Sequence, residues 1–375
     1  MIYFDNGASS FPKPASVSKA MSRAVSEYGA NPGRSGHKLC ARAALKVYSC
    51  RSLLAEMFNA EEQNIVFTLN ATMSVNTVIK GIVEKGDEVI VSDLEHNSVI
   101  RPLKAIGARI SVAEVCLDDD KKTVENFKNT ISPYTKMIFC THASNVLGKI
   151  LPIREIGLAA KSRNIPFGVD ASQSAGVVDI DVMRDNIDFL CLAGHKGLYG
   201  PQGIGVIVLN CPIMLKTLVE GGTGVNSAEL FQPENAPERY ESGTLPTPCI
   251  AGLEEGVRFI KQRGLDNIFK QENELLAFAY KELSKIKSVI LYTPFPDNTY
   301  TGVLSFNIKG KTADEVAEIL NSQNIFVRSG LHCAPFAHKK IGTLNEGGTV
   351  RISFGAFNSY TEIKTFLAII QKHCV

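Results

Sequence analysis

The sequence lacks the features that mark several large classes of protein. No stretch approaches the roughly 18–20 consecutive apolar residues of a membrane-spanning helix. Residues 1–7 carry neither a basic region nor a long apolar segment, so we expect no secretory signal peptide. Internal repeats and low-complexity tracts are also absent. These absences favour a cytoplasmic globular protein with no membrane partner.

Charge and cysteine spacing exclude further classes. The formal net charge is only +2, and nothing in the sequence forms the clustered basic face that nucleic-acid binding requires. The nine cysteines are scattered and show no paired Cys-x-x-Cys spacing. We therefore expect reduced and mostly buried thiols, and no metal centre.

The order of apolar and amphipathic segments predicts the fold. A chain of 375 residues exceeds the size at which single cores stop growing, about 250–300 residues, and predicts two domains. In the first two-thirds, short apolar runs alternate with amphipathic segments, which is typical of a mainly parallel sheet between helices. The predicted strands are 65–68, 88–91, 109–112, 137–140, 165–169, 189–192 and 205–209. The predicted helices between them begin near Ala41, Thr72, Ser98, Thr123 and Ile153.

The last third predicts a smaller α+β domain. Two helices, 250–263 and 265–287, precede a series of shorter elements with the pattern strand, helix, strand, strand, helix: 303–308, 313–322, 325–328, 350–354 and 361–372. We place an N-terminal segment at 1–15, packed on the small domain, a large domain at 16–255 and the small domain at 256–375. On the helix beginning near Ala41, the spacing predicts that Leu45, Tyr48, Leu53 and Met57 face the core.

An acid and a lysine follow two of the predicted buried strands. Asp170 ends the strand 165–169, and Lys196 follows the strand 189–192, before a glycine-rich turn at 200–205. In an open α/β sheet, ligands bind at such strand ends. A lysine that forms a Schiff base and an acid that holds a pyridinium nitrogen are the minimum that pyridoxal phosphate requires. The alternatives are a solvated lysine and a structural ion pair at Asp170.

Other polar residues follow strands of the same predicted sheet. Thr72 lies where a strand leads into a helix, and such a helix N-terminus is suited to phosphate, although Asn70 or Thr72 could simply cap it. Gln173 lies three residues after Asp170, within reach of the same pocket. His96 and Asn145 each follow a strand at this edge. For His96 the alternatives are a ring that stacks on a planar cofactor and a packed or surface histidine. For Asn145 the structural alternative is a turn asparagine before Gly148.

Two residues of the small domain are also candidates. Cys333 lies in a predicted loop beside His332, which fits a nucleophilic thiolate. Metal binding by this pair is not predicted, because no further ligands occur at metal spacing. Arg351 lies inside an apolar strand and must find an anion there, either a substrate carboxylate or a structural acid.

Together and in this order, these residues resemble the class V aminotransferases, a family of fold-type I pyridoxal-phosphate enzymes. Within this family, the sequence is most similar to the cysteine desulfurase and selenocysteine lyase branch. The short spacing around Cys333 resembles the second, SufS-like group of that branch. It runs nearly end to end. The segments that carry it are Glu95-His96-Asn97, Ser144-Asn145-Val146-Leu147-Gly148, Asp170-Ala171-Ser172-Gln173, Gly194-His195-Lys196 and Arg328-Ser329-Gly330-Leu331-His332-Cys333-Ala334.

The resemblance implies a role for each candidate. Lys196 would form the Schiff base with pyridoxal 5'-phosphate, Asp170 would hold the ring nitrogen, and Gln173 the phenolic oxygen. His96 would stack on the ring and assist proton transfer. The phosphate would bind at the turn containing Ala71 and Thr72, at His195, and at Thr244 from the second subunit of a homodimer. Asn145 and Arg351 would bind the substrate carboxylate, and Cys333 would accept sulfur.

Three positions depart from the pattern of that family. Ala71 removes one hydroxyl from the phosphate turn, Ala193 replaces a common serine, and Leu331 replaces a common histidine before His332. The first two predict a less crowded phosphate cup. The third leaves the substrate preference open.

The resulting hypothesis is a homodimeric L-cysteine desulfurase that keeps sulfur as a persulfide on Cys333, releases L-alanine and passes the sulfur to an acceptor protein. Selenocysteine lyase and an ordinary aminotransferase are the alternatives within the enzyme class. A non-catalytic binding protein with this fold is the alternative outside it.

Overall fold

Strands and helices alternate through most of the chain. The computed structural model describes residues 1–33 and 36–374. The strands are β1 (Ile2–Tyr3), β2 (Ile65–Thr68), β3 (Glu88–Ser92), β4 (Arg109–Ala113), β5 (Thr135–Thr141), β6 (Phe167–Asp170), β7 (Phe189–Ala193), β8 (Gly205–Leu209), β9 (Val289–Leu291), β10 (Val303–Ile308), β11 (Ile325–Phe326), β12 (Arg328–Gly330) and β13 (Thr349–Ser353). The helices are α1 (Ala15–Tyr28), α2 (Lys38–Phe58), α3 (Ala71–Ile82), α4 (Asn97–Ile106), α5 (Asp120–Thr130), α6 (Ile153–Lys161), α7 (Thr247–Arg263), α8 (Leu265–Leu283), α9 (Ala313–Ser322), α10 (Pro335–Lys340) and α11 (Tyr360–Ile369).

A seven-stranded sheet with the order β2-β8-β7-β6-β5-β3-β4 forms the larger core. Strands β3 to β7 pair in parallel, and β8 is antiparallel to both of its neighbours. Every residue of β6, β7 and β8 is buried, as is expected for strands covered by helices on both faces. The prediction of a mainly parallel sheet between helices is confirmed.

The C-terminal strands form a second, antiparallel sheet with the order β12-β13-β10-β9. Its core is separate and includes Leu304, Phe306 and Phe366. The N-terminal strand β1 pairs in parallel with β11, so the first residues of the chain pack on this region. The α+β character expected for the last third is therefore confirmed. The domain boundary near residue 255 stays a prediction, and α7 runs continuously across it.

The prediction for the buried face of α2 is wrong in part. Leu45 is 67% exposed and Tyr48 is 56% exposed, whereas Leu53 and Met57 are half-buried against the core. The buried stripe consists mainly of smaller side chains, namely Cys40, Ala43, Val47, Cys50, Leu54, Ala55 and Phe58, with Arg51 among them. The buried stripe is therefore rotated around the helix from the predicted one, and its small residues allow α2 to pack against α7.

The described residues contain neither a membrane-spanning helix nor a cluster of metal ligands. Within residues 1–33 and 36–374, no helix combines the length and apolarity that crossing a membrane requires. The same residues contain no group of three or more histidine, cysteine, aspartate or glutamate side chains placed to hold a metal ion.

A glycine in α7 brings this helix against the turn that carries Lys196. A Cβ at Gly256 would lie 2.2 Å from the carbonyl oxygen of Leu198 and 2.8 Å from the amide nitrogen of Gly200. We predict that Gly256→Ala lowers the free energy of unfolding by about 1–3 kcal/mol, because the clash outweighs the helix propensity that alanine adds. Urea unfolding would measure this.

The matched control is Gln262→Ala, at an exposed position of the same helix, for which we expect a change within about 0.5 kcal/mol. A Gly256→Ala protein as stable as the parent would contradict the close contact.

Candidate active site

Four strands of the large sheet deliver polar residues to one edge. Ser92 ends β3 shortly before His96, Thr141 ends β5 shortly before Asn145, Asp170 ends β6, and Ala193 ends β7 shortly before Lys196. Because these strands are parallel, their carboxyl ends lie at the same side of the sheet, which is where α/β proteins bind ligands.

Lys196 lies in a crowded electrostatic environment. Burial lowers the pKa of its amine to about 8, as do the cationic side chains of Arg351 and Arg328, while Asp170 and Asp5 oppose this shift. A neutral amine is the form that attacks a carbonyl carbon. The structure therefore brings Lys196 within electrostatic reach of two predicted site residues, Asp170 and Arg351.

The carboxylate of Asp170 is nearly unpaired. The residue is 5% exposed, and one carboxylate oxygen accepts a hydrogen bond of 2.9 Å from the amide of Ser172. Among the described residues it forms no salt bridge. A buried carboxylate without a cationic partner is costly, so this position favours a ligand that brings positive charge.

His96 is the N-cap residue of α4 and lies within electrostatic reach of Asp170 and Lys196. Its Nδ1 accepts a hydrogen bond of 3.0 Å from the amide of Ser98, so the neutral ring carries its proton on Nε2. Burial lowers the pKa of His96 to about 4, partly opposed by Asp170 and reinforced by Lys196. The ring is thus neutral at physiological pH, which suits contact with an aromatic ring or acceptance of a proton.

The N-terminal segment closes one side of the pocket. The side-chain amide of Gln173 donates to the carbonyl of Gly7 at 2.9 Å. The ammonium of Lys13 donates to the carbonyl of His195 at 2.6 Å. Burial also lowers the pKa of His195 to about 4. The position of Lys196 therefore depends on residues from the beginning of the chain.

The turn before α3 is partly capped by its own side chain. The Oδ1 atom of Asn70 accepts a hydrogen bond of 2.9 Å from the amide of Met73, one of the two capping alternatives open from the sequence. The amides of Ala71 and Thr72, in the first helical turn, have no intrahelical acceptor and stay available for an anion. Thr72 itself is exposed.

Thr244 does not line the pocket that contains Lys196 of the same chain. It is exposed, and its hydroxyl accepts a hydrogen bond of 3.2 Å from Asn31. With Thr68 and Met73 it lines a separate cavity of about 320 Å³ beside the start of α3. This placement does not assign Thr244 to the site of its own chain.

Arg351 is completely buried and connects three parts of the molecule. One terminal nitrogen lies 2.7 Å from a carboxylate oxygen of Asp5, and the other donates to the carbonyl of Asn145 at 2.9 Å. Its Nε has no hydrogen-bond partner among the described residues. Arg328 lies directly across the strand pair from Arg351. Two guanidiniums with one nearby acid leave a positively charged pocket that favours a further carboxylate.

The loop containing Cys333 is held against the large sheet. The side-chain amide of Asn145 donates to the carbonyl of His332 at 2.7 Å, and the amide of Asn97 donates to the carbonyl of Cys333 at 2.7 Å. Both His332 and Cys333 have positive φ, 48° and 57°, which non-glycine residues seldom adopt. Cys333 is the one exposed thiol among the nine cysteines, all of which the structure describes.

Sequence reasoning missed three participants. Asp5 and Arg328 belong to the electrostatic surroundings of Lys196, and Glu95 is fully buried beneath the pocket. The Glu95 carboxylate accepts hydrogen bonds from the amides of Ser92 and Thr141, tying the ends of β3 and β5 together. Burial raises the pKa of Glu95 to about 8. An arginine two residues before a loop glycine and an acid directly before His96 were the available signals.

Comparison with known proteins places the chain in a family. The model for class-V aminotransferases matches residues 2–366, and the chain belongs to this family. Its members use pyridoxal phosphate.

Individual relatives are more specific. A "Probable cysteine desulfurase" of Pyrococcus abyssi is 35% identical, with 99% of this chain and 94% of that protein covered. One from Methanothermobacter thermautotrophicus is 34% identical, with 97% and 92% covered. The apo structure of a cysteine desulfurase from Thermococcus onnurineus NA1 superposes with a TM-score of 0.91 at 34% identity, covering 99% of this chain and 94% of that one. The expected fold-type I architecture is thereby confirmed.

The unpaired polar atoms of the pocket fit pyridoxal phosphate. Among the described residues, His195 Nδ1, Ser172 Oγ and Arg351 Nε are buried without hydrogen-bond partners, and Asp170 lacks a cationic partner. A bound polar ligand that combines a protonated ring nitrogen with an anionic group would satisfy such atoms.

The contact between Asn145 and the Cys333 loop predicts a change in how often the loop opens. Asn145→Ala removes the 2.7 Å hydrogen bond to His332, and a loss of about 1 kcal/mol corresponds to roughly fivefold more frequent opening of the loop. We expect the amide hydrogens of this loop to exchange with solvent several-fold faster, as measured by hydrogen–deuterium exchange and peptide mass spectrometry.

Asn126→Ala, at a half-buried position of α5 whose side chain also donates to a backbone carbonyl, is the control and should leave the exchange rate of the Cys333 loop unchanged. An unchanged rate in Asn145→Ala would show that this contact does not hold the loop.

The lowered pKa of Lys196 predicts how cofactor capture depends on pH. Capture needs the neutral amine, so the rate constant for combination of the cofactor-free protein with pyridoxal phosphate should rise with pH and level off above a midpoint near 8. Stopped-flow absorbance measures this rate. An exposed lysine would give a midpoint about two pH units higher, near 10.4, and that result would contradict the electrostatic environment described for Lys196.

Proposed function

We propose that this protein is a pyridoxal-phosphate-dependent cysteine desulfurase, which removes sulfur from L-cysteine as an enzyme persulfide and releases L-alanine. The observation that supports this most is the exposed thiol of Cys333 at the edge of the pocket containing Lys196. The loop that carries this thiol accepts hydrogen bonds from Asn97 and Asn145 through its carbonyl groups. The names of the relatives support the same activity.

The residues around the pocket would divide the work. Lys196 would bind the cofactor covalently through its neutral amine, and Asp170 would keep the ring nitrogen protonated. The cofactor then supplies an acceptor for the electron pair released at the substrate Cα. The neutral ring of His96, with its proton on Nε2, would pack on the cofactor ring. Lys196 or His96 would move the Cα proton. Gln173 would approach the phenolic oxygen.

Arg351 would hold the substrate carboxylate. Its guanidinium is buried and carries an unpartnered Nε, and Arg328 adds a second positive charge nearby. The hydrogen bonding of Asn145 differs from simple carboxylate binding, because its side-chain amide already donates to the carbonyl of His332. We therefore assign Asn145 to substrate binding together with positioning of the Cys333 loop.

Sulfur transfer follows from the exposed thiol. The Cys333 thiolate would attack the substrate sulfur, so that a sulfur–sulfur bond forms as the substrate carbon–sulfur bond breaks. The electron pair of the broken bond stays on the substrate carbon, which takes up a proton and leaves as alanine. Dividing a difficult displacement into two steps is the general advantage of a covalent enzyme intermediate. A sulfur-acceptor protein would then take the persulfide sulfur.

The remaining roles concern the phosphate and the assembly. The amides of Ala71 and Thr72, with His195, would bind the phosphate, and Thr244 would reach the site of a second copy in a homodimer. Leu230 and Phe231 are 99% and 88% exposed, which supports burial of this segment in an assembly. The nine cysteines, all of them described, form no disulfide bond, which supports a cytoplasmic location. The assignment to the SufS-like group rests on the loop spacing alone.

The decisive experiment replaces the nucleophile. Cys333→Ser should retain the absorbance of bound pyridoxal phosphate but lose alanine formation from L-cysteine by about a hundredfold or more, because no thiolate remains to take the sulfur. Alanine and sulfide release measure the reaction. Cys116→Ser, at a half-buried cysteine outside the pocket, is the matched control.

Substrate comparison separates the alternatives. Full desulfurase activity of Cys333→Ser would remove Cys333 from the mechanism. Turnover of L-selenocysteine alone by both proteins would instead assign a selenocysteine lyase, and transfer of the amino group to a keto acid would assign an aminotransferase. A protein that stays colourless after incubation with pyridoxal phosphate would contradict the enzyme assignment.

A further inference from the structure

A buried carboxylate outside the catalytic group has no partner. Glu272, in α8, is 4% exposed. Among the described residues its carboxylate makes no hydrogen bond and no salt bridge, and burial alone raises its pKa to about 8. A carboxyl group in such surroundings either keeps its proton or is compensated by one positive charge.

Glu272 lines a small cavity between the two sheets. The cavity has a volume of about 30 Å³. It has room for one or two water molecules or one ion of similar size. Its walls come from the N-terminal segment, the turn after Lys196, α8 and the small sheet. The oxygen-bearing side chains in these walls are Asn6, Ser10, Gln173, Tyr199, Glu272, Thr301 and Ser353.

The hydroxyl protons of this wall are almost all used elsewhere. Ser10 donates to the carbonyl of Lys196 at 2.9 Å, Thr301 to that of Gly148 at 3.3 Å, and Ser353 to that of Phe4 at 3.2 Å. The hydroxyl of Tyr199 accepts from the amide of Ala356 at 2.7 Å and keeps its own proton. The oxygens of Ser10, Ser353 and Asn6 each already accept one hydrogen bond, so the lone pairs open to a ligand are chiefly those of Thr301, Gln173 and Glu272.

The amide and amine groups nearby are also engaged. The side-chain nitrogen of Asn6 donates to the carbonyl of Ser353 and to Asn358, both at 3.0 Å. Lys196 lines the cavity, but the charges that shift its pKa are those of Asp170, Asp5, Arg351 and Arg328. The pKa of Glu272 is shifted by burial and not by Lys196. No basic side chain among the described residues compensates Glu272.

We propose that this cavity binds one monovalent alkali cation, with Glu272 as its charged ligand and neutral oxygens of the wall as the others. Hard cations prefer oxygen ligands, and a single carboxylate matches a single positive charge. The cation would join Asn6, the turn containing Tyr199 and helix α8 at one point. The proposal is independent of the reaction assigned to the pocket.

The test compares thermal unfolding of the full-length holoenzyme in potassium, sodium, lithium and choline chloride at one ionic strength. We expect potassium or sodium to raise the melting temperature by about 2 °C or more relative to choline. Glu272→Gln, which keeps the shape and removes the charge, should abolish that difference. Glu274→Gln, two residues along and exposed, should retain it.

Crystals soaked in rubidium chloride provide a direct readout. An anomalous peak beside the Glu272 carboxylate, absent in Glu272→Gln, is the expected result. Equal melting of the parent protein in all four salts, or no rubidium in the cavity, would overturn the proposal and leave Glu272 as a protonated acid bound to water. Both measurements on the parent protein remain decisive even if Glu272→Gln does not fold.

Discussion

A fully buried guanidinium determines how the pocket is assembled. Arg351 lies in the small sheet, yet the groups that compensate its charge come from elsewhere: Asp5 from the N-terminal segment and the carbonyl of Asn145 from the loop after β5. Removing a charge from water is costly unless it is paired and hydrogen-bonded. The small sheet, the large sheet and the first residues of the chain must therefore come together for the pocket to exist.

Asn145 links two functions that are usually described separately. Its backbone carbonyl accepts from the arginine proposed to hold the substrate, while its side chain donates to the loop that carries Cys333. Two consecutive residues of that loop, His332 and Cys333, have left-handed backbone conformations. Such conformations persist where surrounding contacts enforce them. The loop that carries the thiol is therefore held by the same asparagine that contacts the arginine proposed to bind the substrate.

The large sheet and its strand-end residues could be predicted because apolar runs of strand length are a local signal. Asp170 and Lys196 follow such runs directly. Asp5 could not be found in this way, since its partner Arg351 lies almost a whole chain length away in sequence. The face of α2 was assigned wrongly at Leu45 and Tyr48 because apolar spacing alone does not show which face packs on α7, a helix far away in sequence. The position of Thr244 relative to a second subunit lies beyond what one chain can show.

The pairing of β1 with β11 has a consequence for biosynthesis. Strand β1 finds its partner only after β11, far along the sequence, has been translated. Until then, Ile2 and Tyr3 present an unpaired strand and Asp5 has no cation to neutralise. Contacts of such long sequence separation form late and slowly. The nascent chain can complete its large sheet early, but the pocket is assembled only when β1 and Asp5 have met β11 and Arg351.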